Sequence, residues 1–162
     1  MSHRELAVRD ADEAELDHLA KLWYDGWQDA HAALMPAELR RLRTIASFRD
    51  RLHAGLDHIR VIGPRGAPLA FSMLKGHELY QFYVSAEARG TDVAPRLLAD
   101  AEARLAANGV ALAWLGCAIG NARAARFYEK SGWNRVRTEV VQLDTFEGPF
   151  PLEVWRYEKA LT

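Results

Sequence analysis

The chain has 162 residues, 49% hydrophobic and 27% charged, and its 21 basic side chains nearly balance 22 acidic ones for a net charge of −1. That length is expected to form one domain, residues 1–162, burying roughly 68–70% of the unfolded chain's surface, and the charge balance excludes the basic footprint of a nucleic-acid binder. Cys117 is the only cysteine, so no intrachain disulfide can form. Met1-Ser2-His3-Arg4-Glu5 carries charge where a signal peptide needs an apolar run, and the nearly uncharged Gly109 to Gly120 falls far below the ~20 residues of a membrane span. The expectation is a soluble cytoplasmic protein with no membrane partner.

Leu6 to Arg9 reads as a short strand, and Asp10 with Glu13 has the spacing of a capping box opening a helix. Leu16, Leu19, Leu22 or Trp23, and Trp27 give that helix one apolar stripe. Gly26 interrupts the pattern, so the stretch from Asp25 to Met35 is expected to be a helix end and a loop. Pro36 then opens a second helix with Leu39, Leu42, Ile45 or Ala46, and Leu52 on one face, a break near Thr44 or Ser47, and Gly55 as its stop. After Gly55 the period becomes extended: His58 to Ile62, Leu69 to Leu74 and Glu78 to Val84 are three strands joined closely enough for an antiparallel meander. Strict alternation in the third would put Tyr80, Phe82 and Val84 on one face, and Leu79, Gln81 and Tyr83 on the other.

A helix from Ala94 to Asn108 follows, with Leu97, Leu98, Ala101 and Leu105 as its stripe and Gly109 as its stop. Leu112 to Cys117 reads as a buried strand, Asn121 caps a helix ending near Ser131, and Trp133 to Leu143 and Leu152 to Lys159 alternate as a terminal antiparallel pair. The order strand, helix, strand, helix from Glu78 to Ser131 implies one parallel crossover inside a mostly antiparallel sheet.

Two stretches carry chemistry. Arg89-Gly90-Thr91-Asp92-Val93-Ala94 lies where a strand hands over to a helix, so unpaired backbone N–H groups and the positive end of the helix dipole converge there, and a phosphate is the natural occupant. Asn121-Ala122-Arg123-Ala124-Ala125-Arg126-Phe127-Tyr128-Glu129-Lys130-Ser131-Gly132-Trp133 is the second. Together they resemble the GNAT superfamily of acyl-CoA-dependent N-acyltransferases, whose pattern is matched at the Asn, the Ala three on, Phe-Tyr-Glu-Lys, Gly and the closing aromatic.

The resemblance implies an α/β (α+β) fold with a mixed, mostly antiparallel sheet of about seven strands, flanking helices and a splayed parallel strand pair at the cofactor site. The implied cosubstrate is acetyl-CoA. Tyr83 and Val84 then offer backbone groups to the pantetheine arm and thioester, Arg89, Gly90, Thr91, Asp92, Val93 and Ala94 form the pyrophosphate loop, Asn121 contacts the pantetheine, and Lys130 lies near the phosphates. Tyr128 is implied beside the sulfur. Asp92 stands where the family usually has glycine and could compete for the same N–H groups; the alternative reading it raises is a non-catalytic acyl-CoA binding or sensing module.

The acceptor amine must be neutral to attack, and at pH 7 an α-amino group is about a tenth neutral, a lysine amine only to about one part in a few thousand. Glu78 is the first candidate base, followed by His77 or a water chain from Gln81. The region between the first two helices is implied as the acceptor wall, which points to Trp27, His31 and Met35. The six histidines, His3, His18, His31, His53, His58 and His77, lack ligand spacing, so no metal site is expected. The function expected is acetyl transfer to a primary amine of a small molecule or protein, and a homodimer through the terminal strands, with Phe150 and Trp155 exposed, is plausible.

Overall fold

The computed structural model describes residues 7–161. Leu6 of the expected first strand, the charged start and His3 lie outside them. Seven strands form one sheet in the order β1-β2-β3-β4-β5-β7-β6, with β1 Val8–Asp10, β2 Ile59–Ile62, β3 Ala70–Lys75, β4 Glu78–Val84, β5 Leu112–Ala118, β6 Asn134–Leu143 and β7 Phe150–Ala160. All neighbours are antiparallel except β4 and β5, which are parallel and joined through helix α4, Val93–Ala107. The mixed sheet and its single parallel crossover are as the strand order implied.

Helices α1 (Leu16–Ala30), α2 (Ala37–Leu42) and α3 (Ile45–Ala54) cover one face, while α4 and α5 (Ala122–Lys130) cover the other. On the first face Leu16, Leu19, Trp23, Phe48, Leu52 and Phe71 make a buried cluster; on the second Leu98, Leu105, Leu115, Trp133 and Tyr157 make another. Each such side chain contributes roughly 1.5–3 kcal/mol by leaving water.

Four expectations are corrected. The turn opening α1 is built on Asp12 and Glu15, whose carboxylate accepts the Asp12 N–H at 3.0 Å, two residues beyond the frame read from the sequence. Asp10 is still pairing with Arg60 in the sheet and is not free to cap. Helix α1 also continues through Gly26 to Ala30: that glycine exists because a Cβ there would stand 2.8 Å from Cδ1 of Tyr83, so it lets α1 lie directly on β4. The break after α2 does fall where expected, with Thr44 capping α3 by accepting the Ser47 N–H at 3.1 Å.

The third correction concerns β4. Leu74 pairs with Leu79 and Met73 with Gln81, so Tyr80 is an extra residue, a β-bulge. Alternation slips at that point. Tyr80 joins Tyr83 on the α1 and α3 face, while Leu79 and Phe82 share the α4 and α5 face. Phe150 and Trp155, expected to be exposed, are half-buried against these clusters, and the guanidinium of Arg135 lies 4.3 Å from the centre of the Trp155 ring.

Candidate active site

The bulge sits beside the point where β4 leaves β5. The two strands share one register pair, Glu78 with Trp114, supported by Trp114 N–H donating to His77 O at 3.1 Å, and beyond it they diverge into a V. Ser85 N–H donates back to Leu69 of the β3 side at 2.8 Å. Because backbone groups alternate along a strand, the N–H groups of Phe82 and Val84 face the opposite way, into the V. A strand that has lost its partner keeps its hydrogen-bonding groups for a ligand.

The V holds a cleft of about 260 Å³, walled by Leu79 to Val84 on one side and Leu115 to Ala118 on the other. At its mouth lie Arg89, Gly90 and Ala94 before and in the first turn of α4, and Asn121, Arg123 and Ala124 before and in the first turn of α5. Gly90 has φ +76°, a left-handed conformation that glycine adopts without cost, and open space where a side chain would stand. Arg89 donates to Asp29 Oδ2 at 2.8 Å and Arg123 lies 3.6 Å from the same oxygen, so one exposed carboxylate from α1 holds two cations at the mouth. Those guanidiniums, first of all Arg89, hold the Asp29 carboxyl below its ordinary range. The cleft therefore joins two open strand edges to two helix starts and two arginines, a donor set that fits a pantetheine arm ending in a pyrophosphate.

Tyr128 lines the deep end beside Cys117 and is 8% exposed, its ring packed among Phe82, Phe127, Trp133 and Tyr157. Burial pushes its phenol well above the ordinary tyrosine value, so it stays a neutral donor across the physiological range. Burial likewise raises the Cys117 thiol to about 11, leaving it a neutral wall group.

His31 follows the last turn of α1 and closes the other side. Its Nδ1 lies 3.0 Å from the Tyr83 hydroxyl and its Nε2 3.3 Å from Nδ2 of Asn121. Burial, with Arg123 adding to it, lowers its pKa to about 4, so the ring is neutral.

The site residues expected from sequence are thus divided. Val84, Arg89, Gly90, Ala94, Asn121, Tyr128 and His31 meet in the cleft; Tyr83 lines it too, but by the same alternation its backbone groups face Phe71 of β3, so Phe82 and not Tyr83 joins Val84 in offering an N–H. Thr91 is exposed and spends its hydroxyl on the loop itself, donating to Ala88 O at 2.6 Å, and Val93 is fully buried in the core. Asp92 is exposed and its side chain makes no capping bond, which leaves the N–H groups of α4 uncontested by it. Lys130 is exposed at the far end of α5, away from the mouth. Trp27 and Met35 line a smaller adjoining pocket that shares His31, Gln81, Tyr83, Gly116 and Ala118 with the cleft. Glu78 stands at the closed apex of the V and outside both linings, its carboxyl raised to about 7 by burial against the opposing pull of Lys75 and Arg156. Arg123 and Asp29 were missed. Arg123 lies inside the recognised stretch, two residues after its cap, but Asp29 reaches the mouth only through the packing of α1.

A seven-stranded sheet splayed at its parallel pair, with a cationic mouth and a buried tyrosine, defines an acyl-CoA-dependent transferase. Residues 16–133 match the acetyltransferase (GNAT) family, and the chain belongs to it. Acetyl-CoA is the acetyl donor of that family. Among solved structures, a GCN5-related N-acetyltransferase from Rhodopseudomonas palustris is similar at TM-score 0.73 and 22% identity, over 95% of this chain and 94% of that one. The PaiA N-acetyltransferase of Thermoplasma acidophilum, solved with coenzyme A, has TM-score 0.66 and 18% identity over 95% and 98%. YncA of Salmonella typhimurium, a putative acetyltransferase solved with acetyl-CoA, has TM-score 0.70 and 14% identity over 96% and 94%. At these identities the likeness concerns the fold. No curated protein matches the chain in sequence.

Proposed function

We propose that this protein transfers the acetyl group of acetyl-CoA to a primary amine of a small molecule or protein, with the amine attacking the thioester directly. The observation that carries this reading is the separation of β4 from β5 after one pair, with backbone donors and Tyr128 lining the gap and two arginines at its mouth. Acetyl-CoA supplies the activated carbonyl and the thiolate leaving group. Arg89, Arg123 and the N–H groups around Gly90 and Ala94 hold the phosphates. The N–H groups of Phe82 and Val84 accept the charge that develops on the carbonyl oxygen, a contribution of about 2.7–4 kcal/mol per donor in comparable sites.

Tyr128 donates a hydrogen bond to the departing sulfur. Its raised pKa makes full proton transfer to a thiolate more uphill than for an ordinary phenol, so the donor role precedes any transfer. Glu78, at about 7, has the affinity of a base for neutral pH and, from the apex, takes the acceptor's proton through water. Trp27 and His31 wall the acceptor side. The alternative of a non-catalytic acyl-CoA sensor, which Asp92 raised, loses its motive because that side chain faces solvent.

Calorimetry with acetyl-CoA, followed by thiol release across a panel of amines, tests the reading. Binding with amine-dependent thiol release is expected; binding without turnover on any amine would instead indicate a sensor.

A further inference from the structure

The small pocket on the acceptor side has an unusual floor. Its walls are Trp23, Trp27, Met35, Leu39, Leu143, Leu152 and Val154, and its charged lining residues are Arg43 and Arg51, with no Asp or Glu among them. Arg43 is 4% exposed, and its Nη1 donates to a neutral oxygen, the backbone carbonyl of Asp144, at 2.6 Å. Arg51 donates from Nη2 to the Tyr80 hydroxyl at 2.7 Å, while its buried Nε has no partner. The Arg51 guanidinium also lies over Trp23, 4.5 Å from the ring centre. The Asp144 carboxylate lies outside this pocket, accepting from the Tyr80 hydroxyl at 2.9 Å and from Lys75 at 3.3 Å, so it reaches Arg51 only through that hydroxyl.

Two guanidiniums bonded directly to neutral oxygens, sharing with Lys75 the single indirect carboxylate of Asp144, leave this apolar pocket short of negative charge, and an anion inside it would make up the difference. The pocket has about 100 Å³, room for a carboxylate and a few carbons, and opens onto His31, Gln81 and Tyr83 at the edge of the V. The planar fork of arginine fits a carboxylate through paired N–H···O bonds. We propose that Arg43 and Arg51 form a carboxylate subsite, and that the acceptor is a small amino acid whose carboxylate binds there while its amine points into the V. This rests on the acetyl-transfer reading of the same cleft. The apolar walls accommodate a short aliphatic side chain such as that of valine or leucine, and the arrangement selects against lysine-rich protein segments, which bring no carboxylate to the floor.

The test compares valine and leucine with valinamide and leucinamide as acceptors. A neighbouring carboxylate raises the amine's pKa, so amine chemistry alone favours the amides at neutral pH. The expected result is a kcat/KM at least about 10²-fold higher for the acids, the scale of one or two hydrogen bonds to a charged group. Arg51→Gln should bring the ratio to within about tenfold by raising KM for the acids, with acetyl-CoA affinity unchanged, which reports an intact fold. Arg43 lies under the pocket and helps hold the chain at Asp144, so Arg51→Gln carries the test and Arg43→Lys supports it. Amides used as well as the acids, a phosphorylated amine preferred over them, or an Arg51→Gln protein with the wild-type ratio overturns the subsite while leaving acetyl transfer intact. Failure to acetylate any amine removes the underlying reading as well.

Discussion

Asn121 and His31, ninety residues apart in the chain, meet edge to edge, with the amide nitrogen of one 3.3 Å from Nε2 of the other. The Asn121 carbonyl oxygen is already committed to the Ala124 N–H at 3.3 Å as the cap of α5, so the group facing the ring is the donor. Nε2 must then be the acceptor, and the proton of the neutral ring sits on Nδ1, where it donates to the Tyr83 hydroxyl at 3.0 Å. The Tyr83 hydroxyl keeps its own proton free to donate. A helix cap thereby fixes a tautomer, and the tautomer aims a phenol.

That chain has a pH signature. The His31 pKa falls from 6.5 to about 4 on folding, so the unfolded chain protonates first. Linkage makes the His31 contribution complete above pH 6.5 and lost progressively as pH falls toward 4. Denaturant unfolding of His31→Gln should therefore show a flatter acid limb than wild type between those values. Parallel limbs for the two proteins would mean that His31 titrates normally.

At the mouth, Asp29 occupies the two arginines that a pyrophosphate needs. Asp29→Asn should tighten acetyl-CoA binding by about two- to fivefold at low salt, the scale of exposed ion pairs, and the gain should shrink as salt screens the mouth. Calorimetry at two ionic strengths checks this. Weaker binding by the variant would mean that Asp29 serves mainly to position Arg89.

Much of this architecture was legible in the sequence, for local reasons. Asn121 announces a cap because its side chain competes for nearby N–H groups, Gly109 and Gly132 mark helix ends, and the stretch from Glu78 to Ser131 fixes the parallel crossover through its change of period. Non-local packing decided the rest. Gly26 reads as a helix stop until Tyr83 is seen lying against it. The bulge at Tyr80 leaves alternating apolar residues that look regular, so only the register with β3 reveals the slip. Nothing in the sequence singled out Arg43 or Arg51; the burial of Arg43 and the half-burial of Arg51 follow from packing against the chain between β6 and β7, which no local pattern records.

Glu78 combines a testable stability effect with a testable rate effect. Burial raises its carboxyl from 4.5 to about 7, so the fold favours the protonated form. Its contribution is complete below pH 4.5 and is lost as pH rises through 7. Glu78→Gln should consequently gain thermal stability relative to wild type above pH 7 and none below pH 4.5. If Glu78 receives the amine proton through water, the same substitution should lower kcat/KM by about 10²-fold and remove a rate limb near pH 7. A stability gain without a rate loss would leave Glu78 as a buried acid at the apex and nothing more.

Two phenols reach the cleft, and their roles separate by substitution. Tyr128 lies at the deep end, beside Cys117, where a thiol leaving group would be enclosed; Tyr83 lies on the acceptor side, tied to His31. Tyr128→Phe keeps the ring among Phe82, Phe127 and Trp133 and deletes only the donor, so turnover should fall by about 10²-fold with acetyl-CoA affinity nearly unchanged. Tyr83→Phe should act differently, raising the acceptor KM through release of His31 and lowering turnover less. Single-turnover kinetics at saturating acetyl-CoA distinguishes them, because the loss with Tyr128→Phe must persist at every acceptor concentration whereas that with Tyr83→Phe should largely recover at saturation. The reverse pattern would transfer the leaving-group role to Tyr83, with the Asn121 and His31 relay as its support.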